Sequence, residues 1–239
     1  MHREPQKNQE STGRQTDCRR CGTCCRKGGP ALHMEDLPLL ESGQIALKAL
    51  FTIRQGEPAF DNVNQTIAPA VTDIVKIKGR REMATTCYFY EPKLGKCGRY
   101  AGRPAECRAL KCWDLSAIEK LYNCRRLTRR HILSRVAGLW DLVAEHQDRC
   151  DYGYIAELAG TARRTAGQGS APQKLLQLVR YDQSLRHLSV ARMNIDPQLT
   201  DFLFGRPLEF TIRMFRVRLT AEARELVVDD RPGSQAELC

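Results

Sequence analysis

Cys18-Arg-Arg-Cys21-Gly-Thr-Cys24-Cys25 puts four thiols within eight residues, and the fold turns on what closes the site this stretch opens. In a Cys-x-x-Cys pair, one turn of backbone brings two sulfurs to adjacent corners of a tetrahedron, about 2.3 Å from a zinc ion. Neighbouring side chains such as Cys24 and Cys25 diverge. They suit two metals, or two irons of one cluster, better than one ion. The stretch therefore requires partners elsewhere in the chain.

A second group supplies them: Cys87, Cys97, Cys107 and Cys112, separated from the first by 61 residues. Closing so long a loop costs on the order of a few kcal/mol of chain entropy. A structural zinc returns ~10–16 kcal/mol, so metal binding is expected to dominate the folding of this region. The candidate ligands are thus Cys18, Cys21, Cys24, Cys25, Cys87, Cys97, Cys107 and Cys112. An all-thiolate set suits zinc or iron, including an iron–sulfur centre, and disfavours magnesium and calcium. Two tetrahedral sites, a dinuclear centre and a cluster all use eight thiols, and the spacing does not choose among them. Dithiol exchange through Cys18/Cys21 or Cys21/Cys24 is the redox alternative, but the strand–helix context of such motifs is not visible. His146 with Cys150, four apart, and His33 stand in reserve as ligands. Cys124 reads as a small buried hydrophobe and Cys239 as a free terminal thiol.

Eleven cysteines in 239 residues do not suggest a disulfide framework, which belongs to small secreted domains. The first 17 residues lack the apolar core of a secretory signal, and no apolar run is long enough for a membrane span. A cytoplasmic protein without a membrane partner is the expectation. The formal net charge of +10 invites a nucleic-acid partner. However, eight ligating thiolates and two divalent ions would leave about +6. Arg125, Arg126, Arg129 and Arg130, and later Arg213, Arg216 and Arg218, read as solvated polar faces. No phosphate loop, dinucleotide fingerprint or nucleophile elbow occurs, and no catalytic or cofactor-binding residue can be named.

The expected fold class is α+β, mainly helical. An irregular, metal-stapled cysteine core with short strands precedes a helical second half and a short C-terminal strand region. Residues 1–17 and 231–239 read as tails. Residues 18–159 form the cysteine-cluster domain, helical from about residue 113, 160–173 a Gly/Ala/Ser linker, and 174–230 a helix/strand appendage. Within the first domain, His33–Gly43 reads as a short helix, 71–78 as a strand, and Cys87–Cys97 as two extended pieces around a Pro92–Gly95 turn. Ile132, Leu133, Val136, Leu139, Trp140 and Val143 repeat as one helix stripe, and a shorter helix covers Tyr154–Leu158. Glu209–Thr220 alternates like a strand whose phase flips near Met214–Phe215.

The runs CRRCGTCC and CYFYEPKLGKCGRYAGRPAECRALKC resemble the bacterial YkgJ-like, CxxCxxCC cysteine-cluster family. The resemblance spans residues 18–115 and rests on Cys18, Cys21, Gly22, Cys24, Cys25, Cys87, Cys97, Arg103, Pro104, Cys107 and Arg108. Gly98-Arg-Tyr-Ala departs from the family's usual Ile-Tyr-Glu, and Cys112 extends the later group. The resemblance implies a zinc- or iron-chelating site. A related pattern in flagellin lysine methylases makes methyl transfer an analogy, although no S-adenosylmethionine loop is recognisable. The leading expectation is a metal-binding protein. The alternatives are a redox or methyl-transfer enzyme using that centre, and a nucleic-acid-associated module with structural metal.

Overall fold

The computed structural model describes residues 15–80, 83–220 and 225–228. The expected tails, apart from residues 15–17, and Cys239 lie outside the described residues. Helix α1 (Leu37–Glu41) precedes strands β1 (Leu50–Ile53), β2 (Pro58–Asp61), β3 (Thr66–Pro69), β4 (Ile74–Ile77), β5 (Gly79–Arg80), β6 (Met83–Cys87), β7 (Tyr90–Glu91) and β8 (Lys96–Cys97). Short helices α2 (Ala105–Ala109), α3 (Ser116–Leu121) and α4 (Arg129–Leu133) lead to the longer α5 (Leu139–Arg149), α6 (Tyr152–Arg164) and α7 (Ala171–Met193). Helices α8 (Thr200–Leu203) and α9 (Leu208–Thr211) precede strands β9 (Val217–Leu219) and β10 (Leu226–Val228). The class is α+β, as expected. The described strands pair two by two, all antiparallel.

The central pair is β1–β4, in the register Leu50↔Ile77 and Thr52↔Val75. All four of these residues are buried, because alternate side chains of a strand face one side. Thr52 is a polar residue at an inward position, and its hydroxyl donates to the Phe202 carbonyl at 2.7 Å. That bond fastens α8 to the sheet. Leu32, Ile45, Leu50, Val75, Ile77, Leu127, Leu133, Val143, Phe202 and Phe204 form the first core. A second core joins Tyr152, Ile155, Leu158, Ala162, Leu175, Val179, Leu208, Ile212 and Val217. Helix α6 runs through Gly160 to Arg164, and α7 begins at a buried Ala171 and Pro172.

Several local expectations need correction. The stripe from Ile132 to Val143 is two helices, α4 and α5. They are split by a turn that ends at Gly138, whose φ of 74° stops a continuous helix. Val136 lies in that turn and is exposed. The turn preserves the three- and four-residue spacing, so periodicity alone cannot see the break. Helix α6 is longer than Tyr154–Leu158 suggested, because the Asp151 carboxylate caps it by accepting from the Tyr154 N–H at 2.8 Å. Glu209–Thr220 is not a strand for most of its length. Leu208 and Ile212, four apart, are buried on α9 and the 3-10 turn Ile212–Phe215, and only Val217–Leu219 is extended. The phase flip marks a helix-to-strand change. Arg129 is not on a solvated face either. It is 1% exposed and makes a bidentate pair with Asp73 at 2.7 and 2.9 Å, while its Nη1 donates to the Leu203 carbonyl at 2.7 Å.

The two cores meet at Asp182, which is fully buried and accepts from His146 Nε2 at 2.8 Å, from Arg186 Nε at 3.0 Å and from the Leu208 N–H at 3.0 Å. Burial would raise this carboxyl, but His146 and Arg186 outweigh burial and hold it at about 2. Burial pushes His146 from 6.5 down to about 4, against the pull of Asp182. The folded imidazole therefore stays neutral where the unfolded one takes up a proton. Stability contributed by His146 is complete above about pH 6.5 and is lost as pH falls toward 4. The thermal midpoint is expected to drop over that window, and His146→Gln should flatten the drop.

Candidate metal centre

The second cysteine group reaches the first because the segment between them folds back on the β1–β4 sheet. Ala31 bridges to Lys76, the Leu32 N–H donates to the Val75 carbonyl, and the Ile77 N–H donates to the Pro30 carbonyl. This fixes the chain just after Cys25 against β4. Beyond β4, Cys87 ends β6, and Cys97 ends β8 across from Tyr90, the hairpin expected around Pro92–Gly95. Cys107 rides on α2.

Buried carboxylates hold α2 in place. Asp36, fully buried, accepts from the Ala105 N–H at 2.8 Å and from the His33 N–H at 3.0 Å. Glu106 Oε2 accepts from the Ala31 N–H at 2.7 Å, and Glu106 Oε1 faces His33 Nε2 at 3.3 Å. His33 Nδ1 donates to the Cys124 carbonyl at 2.6 Å. Burial of His33 opposes its protonation, but Glu106 and that carbonyl outweigh burial and raise it. Both ring nitrogens are thereby engaged, which removes His33 from the reserve of ligands. Burial raises the Asp36 carboxyl, with the two N–H donors pulling against it.

Among the eight predicted ligands, Cys24, Cys25 and Cys97 touch. Cys25 hydrogen-bonds to both others, which raises its own thiol and holds Cys24 and Cys97 down to about 6 each. Cys87 and Cys107 lie close enough to feel Cys24 and Cys97. Burial comes first in raising both of them, and the neighbouring thiolates raise them further. Cys21 feels Cys24 and is lowered chiefly by the Thr23 hydroxyl, 3.2 Å away. The Arg20 N–H points at Cys18 Sγ and the Arg99 N–H at Cys97 Sγ, both at 3.4 Å, and the Arg99 donor helps to lower Cys97. Cys112 is exposed and lies 3.9 Å from the Gln15 amide, which also donates to the Asp17 carbonyl beside Cys18. Cys24, Cys25, Cys87, Cys97 and Cys107 thus lie near one another, with Cys24 exposed, and Cys18, Cys21 and Cys112 are exposed as well. Among the described residues, no three His, Cys, Asp or Glu side chains are already set as a metal-binding group. Cys24, Cys25 and Cys97 are close neighbours, Cys87 and Cys107 interact with them through charge, and the sulfurs do not converge as one ready ligand set.

Two aromatic contacts hold the opening loop against the later segment. Arg26 Nη1 donates to the Tyr90 hydroxyl at 2.8 Å. Gly22, at φ 73°, lies so close to Tyr90 that an added Cβ would sit 2.4 Å from ring atom Cε2, so only glycine fits. Arg103 sends its charge toward Cys24 and Cys97, lowering both, and its Nε is buried without a partner. Arg103, Tyr100, Asp36 and Glu106 carry no signal in cysteine spacing. Arg103 alone stood out beforehand, through its place in the Arg-Pro-x-x-Cys-Arg run.

The remaining reserve residues lie elsewhere. His146 pairs with Asp182, and Cys150 is fully buried, with burial raising its thiol to about 12. Cys124 is exposed, contrary to expectation, and its thiol donates to the Lys120 carbonyl at 3.0 Å.

Residues 17–127 match the model of the CxxCxxCC family, described as a putative zinc- or iron-chelating domain. No curated protein and no solved structure matches the chain. The matched span includes every thiol of both groups and the Asp36, Glu106 and Arg103 ties. No helix among the described residues is long and apolar enough to cross a membrane. Replacing Asp36 by alanine leaves two buried N–H groups without an acceptor, which should cost about 3 kcal/mol. Asp36→Asn, which keeps one acceptor oxygen, should cost less. Urea denaturation of the metal-free protein measures both.

Proposed function

We propose that Cys18, Cys21, Cys24, Cys25, Cys87, Cys97, Cys107 and Cys112 bind zinc or iron, and that metal binding is the function of residues 17–127. The observation that carries this reading is the meeting of Cys97 with Cys24 and Cys25 across an interval of 71 residues, with Cys87 and Cys107 near enough to interact. A single buried thiol is an ordinary small hydrophobe. Several thiols within electrostatic reach of Cys24 and Cys97 repel one another once ionised, and a soft cation removes that cost. The donor set fits the metal: sulfur ligands in number, an arginine turned toward them, and backbone N–H groups aimed at two sulfurs. When bound, the metal supplies positive charge that keeps the thiols ionised. The chain's own residues hold the sulfurs in place and limit water at the Cys87 side, where exposure is 6%.

Eight thiols across an inner group and an exposed rim are enough for more than one four-ligand ion. Anaerobic purification followed by metal and sulfide analysis and a visible spectrum tests the reading. Colourless protein with stoichiometric zinc, or coloured protein with iron, is the expected result, and sulfide with iron identifies a cluster. Cys97→Ala and Cys107→Ala should each lose most of the metal. Protein that takes up neither metal after anaerobic reconstitution ends the reading.

A further inference from the structure

We propose that Tyr100 is a positioning residue for the opening cysteines, its ring acting as the platform that holds Arg20, and through Arg20 the pair Cys18 and Cys21, against the later ligand segment. The proposal rests on the metal-site reading above. Arg20 immediately precedes Cys21 and has φ 54°, a left-handed conformation that costs a residue with a Cβ. Strain of this kind persists where surrounding contacts impose it. The contact here is a stack: the Arg20 guanidinium lies 4.0 Å from the centroid of the Tyr100 ring. With the backbone so turned, the Arg20 N–H points at Cys18 Sγ at 3.4 Å, and the chain runs on to Cys21, Gly22 and the Tyr90 contact.

Arg103 lies 3.9 Å from the centroid of the same ring. Two guanidiniums do not fit on one face at that distance, so the ring is sandwiched. One cation comes from the opening motif. The other comes from the segment between Cys97 and Cys107 and faces Cys24 and Cys97. Cation–π stacking is stronger where solvent is partly excluded, and Tyr100 and Arg103 are both half-buried. Both faces of Tyr100 are taken by the protein itself. The ring is therefore not a stacking surface for a base, which leaves the ligand set as what it serves.

The test uses the full chain, reduced and metal-free, in zinc competition against a chromophoric chelator, with the thermal midpoint of the metal-free protein measured in parallel. Tyr100→Phe keeps the platform and should bind zinc within about two-fold of wild type. Tyr100→Leu removes it and should bind roughly ten-fold more weakly, about 1.4 kcal/mol, with the metal-free midpoint unchanged. A positioning role moves affinity without that midpoint; a packing role moves both. If Tyr100→Leu lowers the midpoint, the exposed Arg20→Gln variant decides, because it leaves the ring in place: weakened zinc binding there supports the proposal. Wild-type affinity in Tyr100→Leu, or in Arg20→Gln, overturns it, as does an equal loss in Tyr100→Phe and Tyr100→Leu. Wild-type protein that binds no zinc or iron fails the metal-site reading itself, whatever the variants do.

Discussion

The arrangement of the thiols depends on a buried carboxylate that is not a predicted ligand. Asp36 holds the N–H groups of His33 and Ala105 with its two oxygens, at 3.0 and 2.8 Å. Because residues 30–32 are bonded to β4, this carboxylate registers α2, and with it Cys107, against the central sheet. Glu106 adds a second tie one residue along, through the Ala31 N–H. The long interval between the cysteine groups is thus closed by sheet pairing and side-chain-to-backbone bonds. Metal would therefore act on the final placement of sulfurs more than on loop closure. That revises the weight which chain entropy and zinc affinity suggest when compared alone.

What could be read from the sequence follows from how local each signal is. The Pro92–Gly95 turn and the β-rich run 71–78 are decided by neighbours within a few residues: the turn lies where expected, and Ile74–Ile77 of the run form a strand. The division of the Ile132–Val143 stripe was hidden because a turn ending in Gly138 preserved the helical spacing. In Glu209–Thr220, apolar residues at mixed spacing imitated a strand with a bulge, while Leu208 and Ile212 were packing as helix neighbours against the second core. The ties that shape the thiol site were invisible for a different reason. Asp36, Glu106 and Tyr100 act across separations of 69, 75 and about 80 residues, and no local pattern reports a partner that distant.

Charge shows the same gap between composition and placement. The formal +10 counts Arg54 and Arg129 as though both met solvent. Both are buried: Arg129 on Asp73, and Arg54 over the Tyr152 ring with its Nη1 donating to the Cys150 carbonyl at 3.0 Å. Glu57 likewise serves the interior, accepting from the Arg54 N–H at 3.0 Å and pairing with Arg206 at 2.6 Å. These pairs bind the sheet to residues 203–208. Buried pairs of this sort are costly to break singly, so their basic members belong to the architecture and add nothing to a surface that nucleic acid could read.

The thiol group itself carries a gradient that bears on how metal would enter. Cys87 is buried, Cys25, Cys97 and Cys107 are half-buried, and Cys18, Cys21, Cys24 and Cys112 are exposed. Burial raises Cys87 and Cys107, so these thiols resist ionising until positive charge arrives. Cys24 and Cys97 are held low by the proton that Cys25 shares with them. A thiolate is the form that binds a soft cation, and Cys21 and Cys24 each combine a lowered thiol with exposure. A bound cation would supply the positive charge that favours the thiolate forms of the deeper Cys87 and Cys107. The charge of Arg103 lowers both Cys24 and Cys97 and so favours negative charge on those two sulfurs.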